Sequence, residues 1–151
     1  MKSTLFYLAV VFLLNCSNKN DSEFLEVFYI GPNVSTPMSY SCSMLSKGIL
    51  KEEINYKKIV DKNMYEKLIS LSNTYKESNE SDRINARIKV LIHYKNKVDT
   101  LCFGEHFDTY KNGVKVTDNK EILTFVKKMI DYENTVPAIV RQHPERYGVK
   151  K

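Results

Sequence analysis

The alternation of apolar and polar residues between positions 83 and 133 organises the second half of this chain. Residues 84–94 place apolar side chains at every second position, namely Ile84, Ala86, Ile88, Val90, Ile92 and Tyr94. Successive side chains of a strand point to opposite faces, so this pattern predicts a long strand with one apolar face. The alternation resumes over residues 98–104 and predicts a second strand.

The register of this hairpin depends on its loop. A two-residue loop at Asn96 and Lys97 places Ile92 opposite Leu101 and Val90 opposite Phe103. All the apolar side chains then lie on one face, whereas a slip by one residue would move half of them to the other face.

A second hairpin and a helix follow. Asn112 and Gly113 separate the short runs 107–110 and 114–117, and this pair is typical of tight hairpin turns that need positive φ. Asp118 and Glu121 have the spacing of a capping box, which predicts the start of a helix. The apolar residues behind it share one helical face that must pack on the sheet: Ile122, Leu123, Phe125, Val126, Met129 and Ile130.

The first half of the domain has a less regular pattern. Residues 24–30 are apolar on both faces, which is typical of a central strand. Residues 39–45 alternate apolar side chains with serines and predict another strand. Over residues 49–60 a strand is favoured, with a helix over residues 50–56 as the alternative. Asn63 and Glu66 have the spacing of a capping box and predict the start of a helix that extends to Tyr75. Residues 76–82 contain no apolar residue and are predicted to form a loop.

These elements predict an α+β fold: a mostly antiparallel sheet of about five to seven strands with two helices packed on one face. The domain spans residues 24–133, and residues 134–151 form a C-terminal tail. In a chain of 151 residues, a hydrophobic content of 42% is enough for one core. The second face of such a sheet is free to meet solvent or a partner.

The first fifteen residues have the character of a targeting segment. Lys2 precedes an apolar run at residues 5–14, and these ten residues are too short for a membrane span of about 20 residues. The run ends in Leu13-Leu14-Asn15-Cys16 and resembles the signal peptides of bacterial lipoproteins. Asn15 stands where that family usually has Gly, Ala or Ser. The alternatives are an ordinary secretory signal and an uncleaved anchor.

The resemblance implies cleavage before Cys16, which would then carry a diacylglyceryl thioether and an amide-linked acyl chain such as palmitate. Two or more chains attach a protein stably to a membrane. Residues 16–23 are polar and predict a flexible tether behind the anchor. The residue after Cys16 is Ser17 and not an Asp. By the sorting rule of enteric bacteria, the sequence in this respect resembles lipoproteins of the outer membrane. The implied location is the bacterial cell envelope.

Cys42 and Cys102 are the cysteines that remain once Cys16 is assigned to lipid. An envelope compartment permits disulfides, and the two residues pair if their Cα atoms come within about 7 Å. The alternative is two buried free thiols that pack as small hydrophobic side chains.

One group of residues resembles metal ligands or acid–base groups: His93, Cys102, Glu105, His106 and Asp108. It contains no pair of ligands at the spacing of a zinc site, and surface imidazoles explain it better. The serines of residues 39–46 lack a nucleophile elbow and a partnered histidine. The sequence therefore predicts no catalytic residue, metal or cofactor, and a protein that is not an enzyme.

The remaining function is binding. Four tyrosines lie near predicted strand ends: Tyr40, Tyr56, Tyr94 and Tyr110. They either form an exposed aromatic patch or, as is commoner, are half-buried residues of their strands. The net charge of +5 is dispersed, which disfavours nucleic-acid binding. We expect a lipid-anchored binding or interaction module with an envelope protein as partner. The alternatives are a small inhibitor or immunity-type protein at the membrane and, least favoured, an envelope enzyme.

Overall fold

The computed structural model describes residues 23–32, 34–36, 38–47, 53–79 and 83–137, together with residues 140, 141, 143 and 146. The predicted signal peptide, Cys16, most of the tether and most of the C-terminal tail lie outside these residues. The elements are β1 (Phe24–Ile30), α1 (Met44–Lys47), β2 (Ile54–Ile59), α2 (Lys62–Ser72), β3 (Ile88–His93), β4 (Val98–Phe103), β5 (Thr109–Lys111), β6 (Val114–Val116), α3 (Lys120–Ile130) and a 3-10 turn (Tyr132–Asn134).

The strands form one six-stranded sheet in the order β2-β1-β3-β4-β5-β6, and each pair is antiparallel. The predicted α+β class is confirmed. β1 lies between β2 and β3, which agrees with the two apolar faces of its sequence. The core residues of its helix-covered face, Leu25 and Val27, are fully buried.

Helices α2 and α3 pack on this face through one apolar stripe each. In α2 the stripe is formed by Tyr65 and Leu68, and in α3 by Ile122, Val126 and Ile130. These side chains join one cluster with the inward residues of β1, β3 and β4. The prediction of two helices on one face of the sheet is therefore confirmed.

The predicted helix caps were each displaced. α2 is capped by Asp61, whose carboxylate accepts from the Met64 amide at 2.9 Å, and not by Asn63. α3 is capped by Asn119, which accepts from the amides of residues 121 and 122. Asp118 is held elsewhere, because its carboxylate accepts from the Asp108 amide and from the hydroxyl of Thr109. In each case the cap is the extended residue directly before the first turn.

The predicted β3–β4 register was wrong by two residues. The loop is Lys95-Asn96, since the Tyr94 amide donates to Lys97 O, and Val90 therefore pairs with Leu101. A shift of two residues keeps every side chain on its face, so the predicted core face survives the error. In the β5–β6 hairpin the Asn-Gly turn is as predicted, with φ of 51° at Asn112 and 84° at Gly113.

Residues 39–45 do not form the predicted strand. The described residues 34–36 and 38–47 run across the sheet face opposite the two long helices and end in α1; we call these residues the strap. Tyr40 and Leu45 of the strap are buried against Ile30 and Ala86 in a second apolar cluster. The alternation thus reflects packing beneath the strap rather than a strand.

The long strand predicted over residues 84–94 is also shorter than expected. It is regular only from Ile88, whereas Ile84 and Ala86 belong to the cluster beneath the strap. In the stretch 49–60, the described residues 54–59 form a strand, as favoured, and residues 49–52 lie outside the described residues. α2 ends at Ser72 rather than at Tyr75, with Asn73 as its C-cap.

Candidate functional site

The sheet face opposite α2 and α3 is divided into two halves. The strap covers the half in which β1 ends, around Ile30. In the other half, in which β1 begins, the described side chains of this face are half-buried or exposed. The side chains of this half, which we call the open patch, come from three neighbouring strands: Phe24, Glu26, Phe28, Tyr56, Lys58, Leu91 and His93. Phe28 lies at the border of the patch, because it also packs against the cluster beneath the strap.

Strand register brings the polar groups of the open patch together. Glu26 Oε2 lies 2.7 Å from His93 Nε2, and the Tyr56 hydroxyl donates to Glu26 Oε1 at 2.9 Å. Both carboxylate oxygens are therefore engaged by side chains from two different neighbouring strands. The hydrogen bond to Glu26 raises the pKa of Tyr56 above its usual value, so this hydroxyl stays protonated and acts as a donor.

Aromatic rings surround this hydrogen-bonded group. The Phe24 ring stacks on the His93 ring with centroids 4.2 Å apart, and Lys58 Nζ lies 4.0 Å from the Phe24 centroid. Phe28 and Tyr56 meet at 5.2 Å. Cross-strand pairing explains both contacts, because Phe24 pairs with His93 and Phe28 with Tyr56. The side chains of the patch are thus ordered by each other before any partner binds.

A disulfide between Cys42 and Cys102 ties the strap to β4, with a Cα–Cα distance of 5.9 Å. Beside it, Lys89 Nζ donates to Ser46 Oγ at 2.6 Å, and Arg87 donates to the carbonyl of Val34 at 3.0 Å. Burial, and secondarily the charge of a neighbouring lysine, lower the pKa of Lys89 from its usual value. These bonds fix the edge at which the covered half of the face ends and the open patch begins.

The five residues that resembled a metal or acid–base group are not gathered. His93 and Cys102 share the face opposite the helices, as expected, but Cys102 is in the disulfide. Glu105 and His106 follow β4 at the other end of the sheet from His93. Asp108 forms an ion pair with Lys115 at 3.1 Å. Among the described residues, no three His, Cys, Asp or Glu side chains are placed to hold a metal ion.

A shallow groove of about 420 Å³ lies between the turn after β4 and the start of α3. His106, Phe107, Lys120 and Lys127 contribute to its walls. Of its two acidic residues, Asp118 is occupied in hydrogen bonds that hold the turn, and Glu105 forms an ion pair with Arg87 at 3.9 Å. These contacts do not join two acid–base side chains of the groove to each other. The open patch is therefore the better candidate site.

The four tyrosines do not form one patch. Tyr40 belongs to the strap and is buried against the sheet, Tyr94 and Tyr110 are half-buried, and only Tyr56, which is 53% exposed, belongs to the open patch. Sequence reasoning missed Glu26 and Lys58 as site residues. Each is a polar strand residue with aromatic neighbours in the sequence, and this pattern could have marked them. Their partners, however, depend on the order of the strands in the sheet.

No protein-family model matches this sequence, and no curated protein and no solved structure matches it significantly. Among the described residues, none of the helices has the length and apolar character needed to cross a membrane.

Proposed function

We propose that this protein is a lipid-anchored binding module of the bacterial cell envelope that binds a protein partner through the open patch. The observation that carries the proposal is the set of aromatic and polar side chains that contact each other on the half of the sheet face whose residues are half-buried or exposed. Aromatic residues combined with a few charged groups are typical of the centres of protein interfaces.

The internal contacts of the patch support a binding role. Binding costs free energy when side chains must be ordered at the interface, by about 0.5–1.5 kcal/mol for each flexible side chain. Here the Glu26 carboxylate, the His93 ring and the Phe24 ring already hold each other in place. A partner therefore meets a surface that is ordered in advance, and the patch needs no catalytic role.

The anchor is supported by the resemblance of the first sixteen residues to lipoprotein signal peptides. Cys16 would carry the lipid, and the tether would connect it to β1. Ser17 favours the outer membrane as the destination.

Cys16→Ser should move the protein from the membrane to the soluble fraction, because it removes the sulfur that would carry the diacylglyceryl group. Each buried methylene of an acyl chain contributes about 0.8 kcal/mol, so loss of the chains removes most of the membrane affinity. The measurement is detergent phase partitioning, with Ser17→Ala as the matched control. Equal recovery of both variants in the detergent phase would contradict lipidation at Cys16.

The binding surface can be tested with a photoreactive phenylalanine analogue. Placed at Tyr56 in living cells, it should form one major cross-linked product, because this exposed ring lies in the open patch. Placed at Val114, which is 45% exposed on the other side of the sheet, it should not. The product should become several-fold weaker when Lys58→Glu is added. Cross-links of similar yield from both positions would exclude the open patch as a specific interface.

An inhibitor of an enzyme at the membrane is the second candidate. A rigid surface favours inhibition, and the disulfide beside the patch supplies rigidity. The two functions differ in the partner: an inhibitor abolishes the activity of the cross-linked enzyme in a one-to-one complex, whereas a binding module leaves the partner active.

A further inference from the structure

One end of the sheet is the end at which the tether joins the domain. β1 begins there with Phe24, which pairs with His93, and Ile59 at the end of β2 pairs with Leu25. The β3–β4 turn and the first turn of α2 therefore lie at the same end. We call it the tether end; its exposed side chains include Val60, Lys62, Met64, Lys95, Lys97 and Val98.

The tether end exposes apolar side chains to solvent. Val60 is 68% exposed, Val98 is 49% exposed and Met64 is 39% exposed. Single exposed apolar residues are ordinary on a protein surface. These three, however, lie directly after β2, in the first turn of α2 and at the start of β4, which is the end of the domain that the lipid would hold against the bilayer.

Lysines are interleaved with these apolar side chains. Lys62 forms an ion pair with Glu66 at 3.6 Å and Lys97 with Asp99 at 3.1 Å. Glu23 and Asp61 add negative charge at this end. The charges thus nearly cancel, so apolar contact rather than attraction to anionic lipid would hold this surface on a membrane. The long lysine side chains can extend along the surface of the tether end towards the phosphate groups of the lipids.

The length of the tether limits where the domain can lie. Phe24 is eight residues from Cys16, and an extended chain spans at most about 3.6 Å per residue, so the start of β1 stays within roughly 30 Å of the lipid. This short connection keeps the tether end at high local concentration near the bilayer surface. Even weak apolar contacts are then sufficient to orient the domain.

We propose that the tether end rests on the phospholipid surface, with Val60, Met64 and Val98 in contact with the lipid. The strands then stand up from the membrane, and the open patch faces sideways towards a partner. This inference rests on the proposed lipid anchor at Cys16.

The test uses a nitroxide label at Val98→Cys in the mature lipidated protein. The introduced thiol is the one free for labelling, because Cys42 and Cys102 form a disulfide and Cys16 would carry lipid. The matched control is Phe107→Cys, since Phe107 is 64% exposed and lies beyond the opposite end of β4. The purified proteins are reconstituted in vesicles of mixed zwitterionic and anionic phospholipid, and collisions with a water-soluble nickel chelate are measured.

We expect the label at position 98 to collide with the chelate several-fold less often than the label at position 107. Adding Val60→Asp should raise the collision rate at position 98 most of the way to that at position 107, because a charge at position 60 disfavours contact with the lipid surface. Vesicle flotation separates the two proposals. Protein that floats with equal collision rates at both positions retains the anchor and overturns the orientation, whereas protein that does not float overturns both.

Discussion

Val90→Asp should abolish the folded state of the domain. Val90 is fully buried, pairs with Val27 of β1 and Leu101 of β4, and belongs to the core beneath the two long helices. An aspartate at this position would place a carboxylate among apolar side chains with no cation within the cluster. Burying an unpaired charge costs several kcal/mol, whereas a whole domain is stable by only about 5–15 kcal/mol.

Circular dichroism melts give the measurement. The expected result for Val90→Asp is the loss of the cooperative transition, and Phe103→Asp and Val126→Asp should behave alike because both side chains lie in the same core. Val60→Asp is the matched control, since the same substitution at a 68% exposed valine should change stability by less than about 0.5 kcal/mol. A cooperative melt of Val90→Asp within a few degrees of the unchanged protein would refute the placement of Val90 in the core.

The core face of this domain could be predicted because strand alternation is a local property. Val90, Leu101 and Phe103 were assigned to the buried face from period alone, and all three are buried. The assignment even survived a wrong loop, since a slip by two residues changes the partner of each side chain but not its face. Local pattern therefore determined which side chains enter the core, although it left their partners open.

The strap shows where local pattern fails. Tyr40, Cys42 and Met44 alternate as in a strand, but the conformation of this segment is set by distant groups. The Tyr40 amide donates to Asn85 Oδ1, and the Ala86 amide donates to Tyr40 O. These partners lie about forty-five residues away in sequence. No periodicity within residues 39–45 contains that information.

The open patch was unpredictable for the same reason. Glu26, Tyr56 and His93 come from the first three strands, and each is an ordinary polar or aromatic strand residue by itself. They meet only because β1 lies between β2 and β3 in the sheet. Strand order depends on the whole chain, so the sequence indicated a free sheet face without indicating which side chains it would bring together.

Loss of the disulfide should be the largest change that the domain survives in folded form. Cys42 and Cys102 are 60 residues apart in sequence. Their bond restricts the unfolded chain, and the loop-entropy relation gives about 4 kcal/mol for a loop of this length. Cys42→Ser is the suitable variant because Cys42 is half-buried, whereas Cys102 is fully buried and its replacement would also disturb packing on β4.

We expect Cys42→Ser to unfold at a markedly lower denaturant concentration, by an amount equivalent to about 2–5 kcal/mol. The sheet should persist, because the core beneath α2 and α3 does not include the strap. Reductant provides the matched control: it should destabilise the unchanged protein by a similar amount and leave Cys42→Ser as it was. If the variant and the oxidised protein instead unfold at the same denaturant concentration, the bond between Cys42 and Cys102 does not stabilise the fold, and the strap is held by contacts such as that of Lys89 with Ser46.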